Sequence, residues 1–237
     1  MSKMQYRSEG GIARVTLDDG KMNVINWDFV NELNASMDRA LSDQSKALII
    51  TSGRPGVFSA GLDLKLLSSL EFAPLMKFTK QFARTMLRIL LFPLPTIAAY
   101  RGHAIAGGIV ISCACDRWIV QDGPFRMQMN EMINGMMIPR WIALICQSTI
   151  PHRWWREVLL QARAYTPREA YERNIPDTLV EESGDVMKVA EAVAQEMSKV
   201  SGPAYGATKK ILFQEEADRA MEVFDRDALE WRIYSKP

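Results

Sequence analysis

Two segments of this chain join an apolar, β-branched run to a glycine-containing turn and then to a stretch with helical character. Residues 47–51 precede residues 58–63, and residues 95–100 precede residues 102–108. A helix that begins directly after such a turn presents unpaired backbone N–H groups. Two N–H groups that converge on one oxygen form an oxyanion hole. The pattern also fits ordinary strand-to-helix turns, where glycine is common.

Hydrophobic periodicity predicts one domain that ends in a helical region. Strands are predicted where apolar residues alternate or run together, at residues 12–17, 47–51, 96–100 and 116–120. Helices are predicted at residues 62–70, 72–91, 106–113, 143–150 and 154–161, and the pattern from residue 185 onward is almost entirely helical. Strands that alternate with helices indicate the α/β class, with a core over residues 1–184 and a helical region over residues 185–237. Periodicity alone does not distinguish a spiral of repeated units from a doubly wound sheet.

Composition narrows the classes of function. The 237 residues include 29 basic and 28 acidic side chains, with no basic stripe, so a nucleic-acid partner is not expected. No apolar run approaches the ~20 residues of a membrane helix, so no membrane partner is expected. Three cysteines without zinc-type spacing, and only two histidines, predict that there is no metal site. Cysteines in apolar surroundings, and an N-terminus unlike a signal peptide, predict a reducing, cytoplasmic location.

Four motifs occur in an order that resembles the crotonase superfamily, the enoyl-CoA hydratase/isomerase family. They are residues 58–65, residues 102–108, Cys115-Asp116 and Asn130-Glu131. The resemblance implies a crotonase-like spiral of repeated ββα units with a C-terminal helical part. It also implies an acyl-CoA thioester substrate, no separate cofactor because coenzyme A is part of the substrate, and a homotrimer or a hexamer of two trimers. The family usually continues past the segment at residues 235–236, so the C-terminal region is expected to be shortened.

The same resemblance assigns roles to individual residues. It makes the N–H groups of Leu62 and Gly107 the oxyanion donors, with glycine at 107 allowing close approach of the substrate. It makes Glu131 the acid/base, and it places five further residues on the path of the substrate: Ala60, Asp63, Leu64, Lys65 and Gly108. Asp63 is also expected to cap the helix after Gly61. A solvated lysine on the first turn of that helix remains the alternative for Lys65.

The number of acids favours one reaction of the family. Hydratases carry two glutamates, and the first of these positions, three residues after Gly107, holds Val110 here. One base beside an oxyanion hole is sufficient to move a proton between two carbons of an enolate. The resemblance therefore implies a Δ3,Δ2-enoyl-CoA isomerase of fatty-acid β-oxidation, in which Glu131 shifts the double bond of a 3-enoyl-CoA to the 2-trans position. The pKa of Glu131 is expected to be raised through desolvation by Met127, Met129, Met132, Ile133, Met136 and Met137.

Other interpretations of the sequence stay open. The chain could catalyse hydration with one glutamate or another acyl-CoA reaction of this family. It could also bind CoA thioesters without turnover, and Glu131 could merely cap a turn. The methionines could simply fill the core.

Overall fold

The computed structural model describes residues 3–227, so the predicted shortening at residues 235–236 falls outside the described chain. Strands β1 to β9 occupy Met4–Glu9, Ile12–Leu17, Ala47–Ser52, Gly56–Ser59, Thr96–Tyr100, Gly102–Ile105, Arg117–Gln121, Met127–Gln128 and Thr178–Val180. Helices α1 to α8 occupy Trp27–Ser42, Leu64–Ser69, Phe72–Leu90, Gly107–Ala114, Arg140–Thr149, Pro167–Tyr171, Val186–Ser198 and Pro203–Glu222. None of the described helices is both long and apolar enough to cross a membrane.

Two sheets organise the chain. The larger has the order β1-β2-β3-β5-β7-β9, antiparallel between β1 and β2 and parallel elsewhere. The smaller has the order β4-β6-β8 and is parallel. The chain passes from the larger to the smaller sheet three times, from β3 to β4, from β5 to β6 and from β7 to β8. This repeated ββα plan confirms the predicted α/β fold.

The second strand of each unit is missing from the sequence prediction. Residues interpreted as glycine turns include β4 and β6, which pair with each other across the small sheet. The pairing brings the backbones close together, since a Cβ atom on Gly102 would lie 2.3 Å from the backbone nitrogen of Val57. Gly102 thus permits the small sheet to form. The predicted helix at residues 154–161 is also wrong in detail, because it consists of a 3-10 turn, His152–Trp154, and a π-helical turn, Arg156–Leu160.

The larger sheet is covered on both faces. Side chains on one face of the sheet, including Ile49, Ile97 and Ile119, pack against Ala190 and Ala194 of α7. Side chains on the other face pack in the main hydrophobic core. The predicted division between residues 184 and 185 lies just before α7, and this helix shares an apolar cluster with the sheet.

A buried ion pair fixes helix α8 to the core. The Lys209 Nζ atom lies 2.8 Å from Asp116 Oδ1, and only 5% of the lysine side chain is exposed. Asp116 Oδ2 also accepts the backbone N–H of Thr96 at 2.8 Å. The carboxylate therefore joins α8 to the start of β5, and removal of either charged partner would leave the other buried without compensation.

Candidate active site

An apolar cavity, called here the inner cavity, lies between α3, α5 and the loop that follows β8. The space that the centres of water molecules can reach measures about 70 Å³. Its wall includes Leu62, Phe82, Met136, Met137 and Trp141, together with the carboxyl groups of Glu131 and Asp227. The rings of Phe82 and Trp141 meet edge to face with their centroids 5.2 Å apart. A carboxyl group in such a wall loses most of its hydration.

Glu131 has the properties of an acid/base group. The residue is 4% exposed, and its Oε2 atom has no hydrogen-bond partner among residues 3–227. Burial raises the pKa of Glu131 to about 7, although a hydrogen bond from its own backbone N–H acts in the opposite direction. The Met136 N–H donates to the Glu131 carbonyl at 2.9 Å, which closes the loop around the acid. The carboxyl group can therefore accept and return a proton near neutral pH.

The backbone of Leu62 is held by the hydrogen bonds of its two neighbours. The Ile25 N–H donates to the Gly61 carbonyl at 2.8 Å, and the Asp63 N–H donates to the Ile25 carbonyl at 3.1 Å. This parallel bridge directs the Leu62 N–H away from Ile25. Within residues 3–227 that N–H donates to no backbone acceptor. It is a fixed donor that remains free for a ligand.

Gly107 is the first residue of α4, and its N–H also lacks a backbone acceptor among the described residues. Gly61 brings the two glycine segments together, because a Cβ atom on Gly61 would lie 3.1 Å from the Gly107 nitrogen and 2.8 Å from the Ile105 carbonyl oxygen. Gly61 also has a φ of +81°, which favours glycine. The structure thus places the residue before Leu62 against the nitrogen of Gly107, and the two predicted donors lie in neighbouring segments.

Glycine at 107 has a different structural reason from the one proposed from the sequence. A Cβ atom there would lie 2.5 Å from Ile25 Cδ1 and 3.4 Å from Phe82 Cζ, so a side chain would point into packed residues. A Cβ atom on Gly108 would lie 2.8 Å from the Ser59 carbonyl oxygen, and Gly108 is buried. Both glycines allow α4 to pack closely, and any contact of Gly108 with substrate would have to involve its backbone.

The remaining predicted binding residues surround the start of α2. Asp63 Oδ1 accepts the N–H groups of Lys65 at 3.1 Å and Leu66 at 3.2 Å, which confirms the predicted helix cap. Ala60 is half-buried and donates its N–H to the Met22 carbonyl at 3.0 Å. Leu64 and Lys65 are exposed, and Lys65 forms no ion pair within residues 3–227. Of these residues, Leu64 and Lys65 are accessible to solvent beside Leu62 in the chain.

Comparison with known proteins identifies the group to which this architecture belongs. The sequence model of a protein family described as enoyl-CoA hydratase/isomerase matches residues 7–232. The chain belongs to this family.

Relatives within the enoyl-CoA hydratase/isomerase family carry two kinds of name. The human protein called enoyl-CoA delta isomerase 1, mitochondrial, is 30% identical over 219 residues, which cover 92% of this chain and 72% of the relative. The crystal structure of human mitochondrial delta3-delta2-enoyl-CoA isomerase has a TM-score of 0.91 at 29% identity, covering 99% of this chain and 92% of that one. A probable enoyl-CoA hydratase from Mycobacterium tuberculosis has a TM-score of 0.89 at 28% identity, covering 98% and 97%. The family is thus shared by proteins named for isomerisation and for hydration.

The surroundings of the acid in this family member differ from the sequence prediction. Met136 and Met137 line the inner cavity as expected, but Ile133 is 65% exposed and cannot desolvate Glu131. Met127 is buried in a separate small cavity beside Trp118. The wall around Glu131 also includes Phe82, Trp141 and Ile142, which the sequence analysis did not single out. Helical periodicity marked them only as apolar, and no local pattern assigned them to a cavity.

Proposed function

We propose that the protein is an enoyl-CoA isomerase that shifts the double bond of a 3-enoyl-CoA to the 2-trans position. One observation carries the proposal: the buried Glu131 lines the apolar cavity with a pKa of about 7. The position at which hydratases carry their first glutamate holds Val110, which is fully buried in α4. A valine side chain can neither hold nor activate a water molecule.

The proposed reaction uses one base and two backbone donors. Glu131 removes a proton from the α-carbon of the thioester, and the negative charge spreads to the thioester oxygen. The N–H groups of Leu62 and Gly107 stabilise that oxygen, and each such donor contributes about 3 kcal/mol in comparable sites. Glu131 then returns the proton to the γ-carbon. The conjugated 2-trans-enoyl thioester is the product.

The proposal also covers the contacts with coenzyme A, the oligomeric state, the cellular location and the metabolic role. Ala60, Asp63, Leu64, Lys65 and Gly108 would follow the adenine and pantetheine parts of coenzyme A, with Lys65 meeting negative charge. No separate cofactor takes part. A homotrimer or hexamer, a cytoplasmic location and a role in fatty-acid β-oxidation belong to the same proposal.

Hydration of a 2-enoyl-CoA is the second candidate, because Asp227 lines the same cavity as Glu131. Two carboxyl groups in one cavity could hold a water molecule between them. Asp227 already accepts the backbone N–H of Arg140 at 3.3 Å and lies 3.7 Å from the Arg226 guanidinium, so isomerisation is favoured.

The deciding experiment supplies 3-cis-hexenoyl-CoA, 3-trans-hexenoyl-CoA and crotonyl-CoA in separate assays. Isomerisation increases the absorbance of the conjugated thioester, whereas hydration of crotonyl-CoA decreases it. We expect isomerase turnover to exceed hydratase turnover clearly, and Asp227→Asn to preserve isomerisation. Hydration at a comparable rate, abolished by Asp227→Asn, would replace the proposal with the second candidate.

A further inference from the structure

A second space, called here the outer groove, adjoins the inner cavity on the surface beside α5 and α8. It measures about 390 Å³ by the same criterion, and its lining combines the apolar residues Ile138, Ala143 and Leu144 with the polar residues Arg140, Gln147 and Glu216. Met137 and Asp227 line both the inner cavity and the outer groove. Among residues 3–227, these two residues therefore lie between the two spaces and are called here the partition.

The size of the inner cavity limits what it can hold. The inner cavity, at about 70 Å³, is several times smaller than the outer groove, at about 390 Å³. It is therefore suited to a short acyl group. The tail of a longer acyl group must leave the inner cavity, and the apolar residues of the outer groove lie directly behind the partition.

Of the two partition residues, Met137 is the one that can move aside. Its side chain is unbranched with three rotatable bonds, and methionine adapts readily to irregular apolar spaces. Asp227 is held by the Arg140 N–H and adjoins Arg226. Met136 lines the inner cavity but does not border the outer groove, so it differs from Met137 in position and not in chemistry.

We propose that Met137 determines the acyl-chain length that this protein accepts, by separating a cavity for short acyl groups from a groove that can receive a longer tail. The inference rests on the proposed function for its choice of ligand. With Met137 in place, short acyl groups fit within the inner cavity. Longer acyl groups bind at the cost of moving Met137 aside, so they bind better when residue 137 is small and worse when it is large and rigid.

The test measures the dissociation constants of hexanoyl-CoA and dodecanoyl-CoA by calorimetry for the wild type, Met137→Ala and Met136→Ala. For Met137→Ala, the affinity for dodecanoyl-CoA should increase about tenfold relative to hexanoyl-CoA, the gain expected when about two more methylene groups are buried. Met136→Ala creates similar space without opening the partition, so its ratio should stay near that of the wild type. Met137→Phe, a larger side chain at the same place, should lower the affinity for dodecanoyl-CoA only.

Turnover of 3-trans-hexenoyl-CoA and 3-trans-dodecenoyl-CoA by the same variants should follow the binding ratios. The two saturated thioesters cannot isomerise, so their binding tests the role of Met137 even if the protein has another activity. Equal effects of Met137→Ala and Met136→Ala on the ratio of the two affinities would overturn the proposal. An unchanged ratio in Met137→Phe would overturn it as well, and this variant decides the question if Met137→Ala does not fold.

Discussion

The two glycine segments begin with the same plan and end differently. After Gly61 the chain enters α2, a short helix whose first N–H groups are accepted by the Asp63 side chain. After Ala106 it enters α4, whose eight residues are all buried and whose start has no side-chain cap. In the first segment the cap accepts two N–H groups of the helix start, and one free donor remains before the helix, at Leu62. The second leaves the start of the helix itself open, with the favourable end of the helix dipole toward the site.

This difference indicates that the helix cap determines which backbone N–H groups at the helix start remain free to bind a ligand. A capped helix start is closed to an anion, while an uncapped and buried one requires an acceptor from elsewhere. In α4 that acceptor would be the thioester oxygen of the substrate. Substitutions in each segment, and at the acid that both segments serve, test this interpretation.

The largest effect is expected from substitution of Glu131, because the proposed reaction requires this residue as its base. Glu131→Gln retains the shape of the side chain and removes the proton transfer, so kcat should fall by about 100-fold to 10,000-fold. Steady-state kinetics with 3-trans-hexenoyl-CoA measures the loss. The dissociation constant of hexanoyl-CoA should stay within a few-fold of the wild-type value. A variant with nearly normal turnover would show that another group is the base.

The uncapped segment should be the more sensitive of the two to a single methyl group. Gly107→Ala places a Cβ atom 2.5 Å from Ile25 Cδ1. Either the side chain of the buried Ile25 or the backbone of residue 107 must shift, which should lower stability by about 1–3 kcal/mol. We expect the Gly107 N–H to be displaced and kcat to fall by tenfold or more. Denaturant unfolding and kinetics measure the two effects separately.

The matched control is the double variant Ile25→Val/Gly107→Ala, which removes the Cδ1 atom responsible for the collision. It keeps the N–H and carbonyl of residue 25 that hold Leu62 in place. Recovery of both stability and turnover is expected. If stability returned without turnover, the position of the Gly107 N–H would not explain the loss of activity.

The dependence of activity on pH should reflect the raised pKa of Glu131. Since the base must be ionised, kcat/KM should increase up to tenfold per pH unit below about pH 7 and level off above it. The same shift affects stability: the folded protein binds the extra proton, so stability should decrease as the pH rises from about 4.5 to about 7. Glu131→Gln should remove this contribution. A profile that levels off near pH 4.5 would exclude Glu131 as the group that titrates.

In the segment whose helix is capped, truncation of the Leu62 side chain should have a small effect on turnover. Leu62→Ala keeps the N–H that Ile25 orients and removes only apolar contacts in the wall of the inner cavity. Turnover should fall by less than tenfold, since the oxyanion donor is retained, with most of the loss in substrate affinity. If kcat fell as far as in Gly107→Ala while both proteins remained folded, the backbone donor at 62 would be in doubt.

The smallest effect on turnover is expected from removal of the cap. Asp63→Ala exposes the N–H groups of Lys65 and Leu66 and should destabilise the protein by about 1 kcal/mol. Asp63→Asn, which still accepts a hydrogen bond, is the control and should restore most of that loss. The kcat of both variants should stay near the wild-type value. A large decrease in kcat with Asn would assign the Asp63 charge a part in the reaction.

The sequence predicted the features that depend on neighbouring residues. The strands β3 and β5 and the cap at Asp63 follow from local composition and spacing, and the structure contains them. The order of the motifs along the chain carried the resemblance to the family, to which the chain belongs. Local information was sufficient because each of these features is completed within a few residues of the chain.

The features that the sequence analysis missed depend on contacts between residues that are far apart in the sequence. The strands β4 and β6 have only four residues each and are stabilised by each other, so neither has a clear pattern of its own. Phe82 and Trp141 meet only because α3 and α5 pack together. The Lys209–Asp116 pair joins residues 93 positions apart. No window of local sequence contains both partners of such contacts.

The bridge between Ile25 and Leu62 has a consequence for how this site could change over time. The donor at residue 62 is main-chain amide, and it is oriented by the amide and carbonyl groups of residues 61, 63 and 25. Every coded residue except proline supplies the same amide, so most point mutations at 62 would alter the contour of the site and leave the donor intact. A lineage could therefore explore new acyl groups at this position by single nucleotide changes while it retained the chemistry.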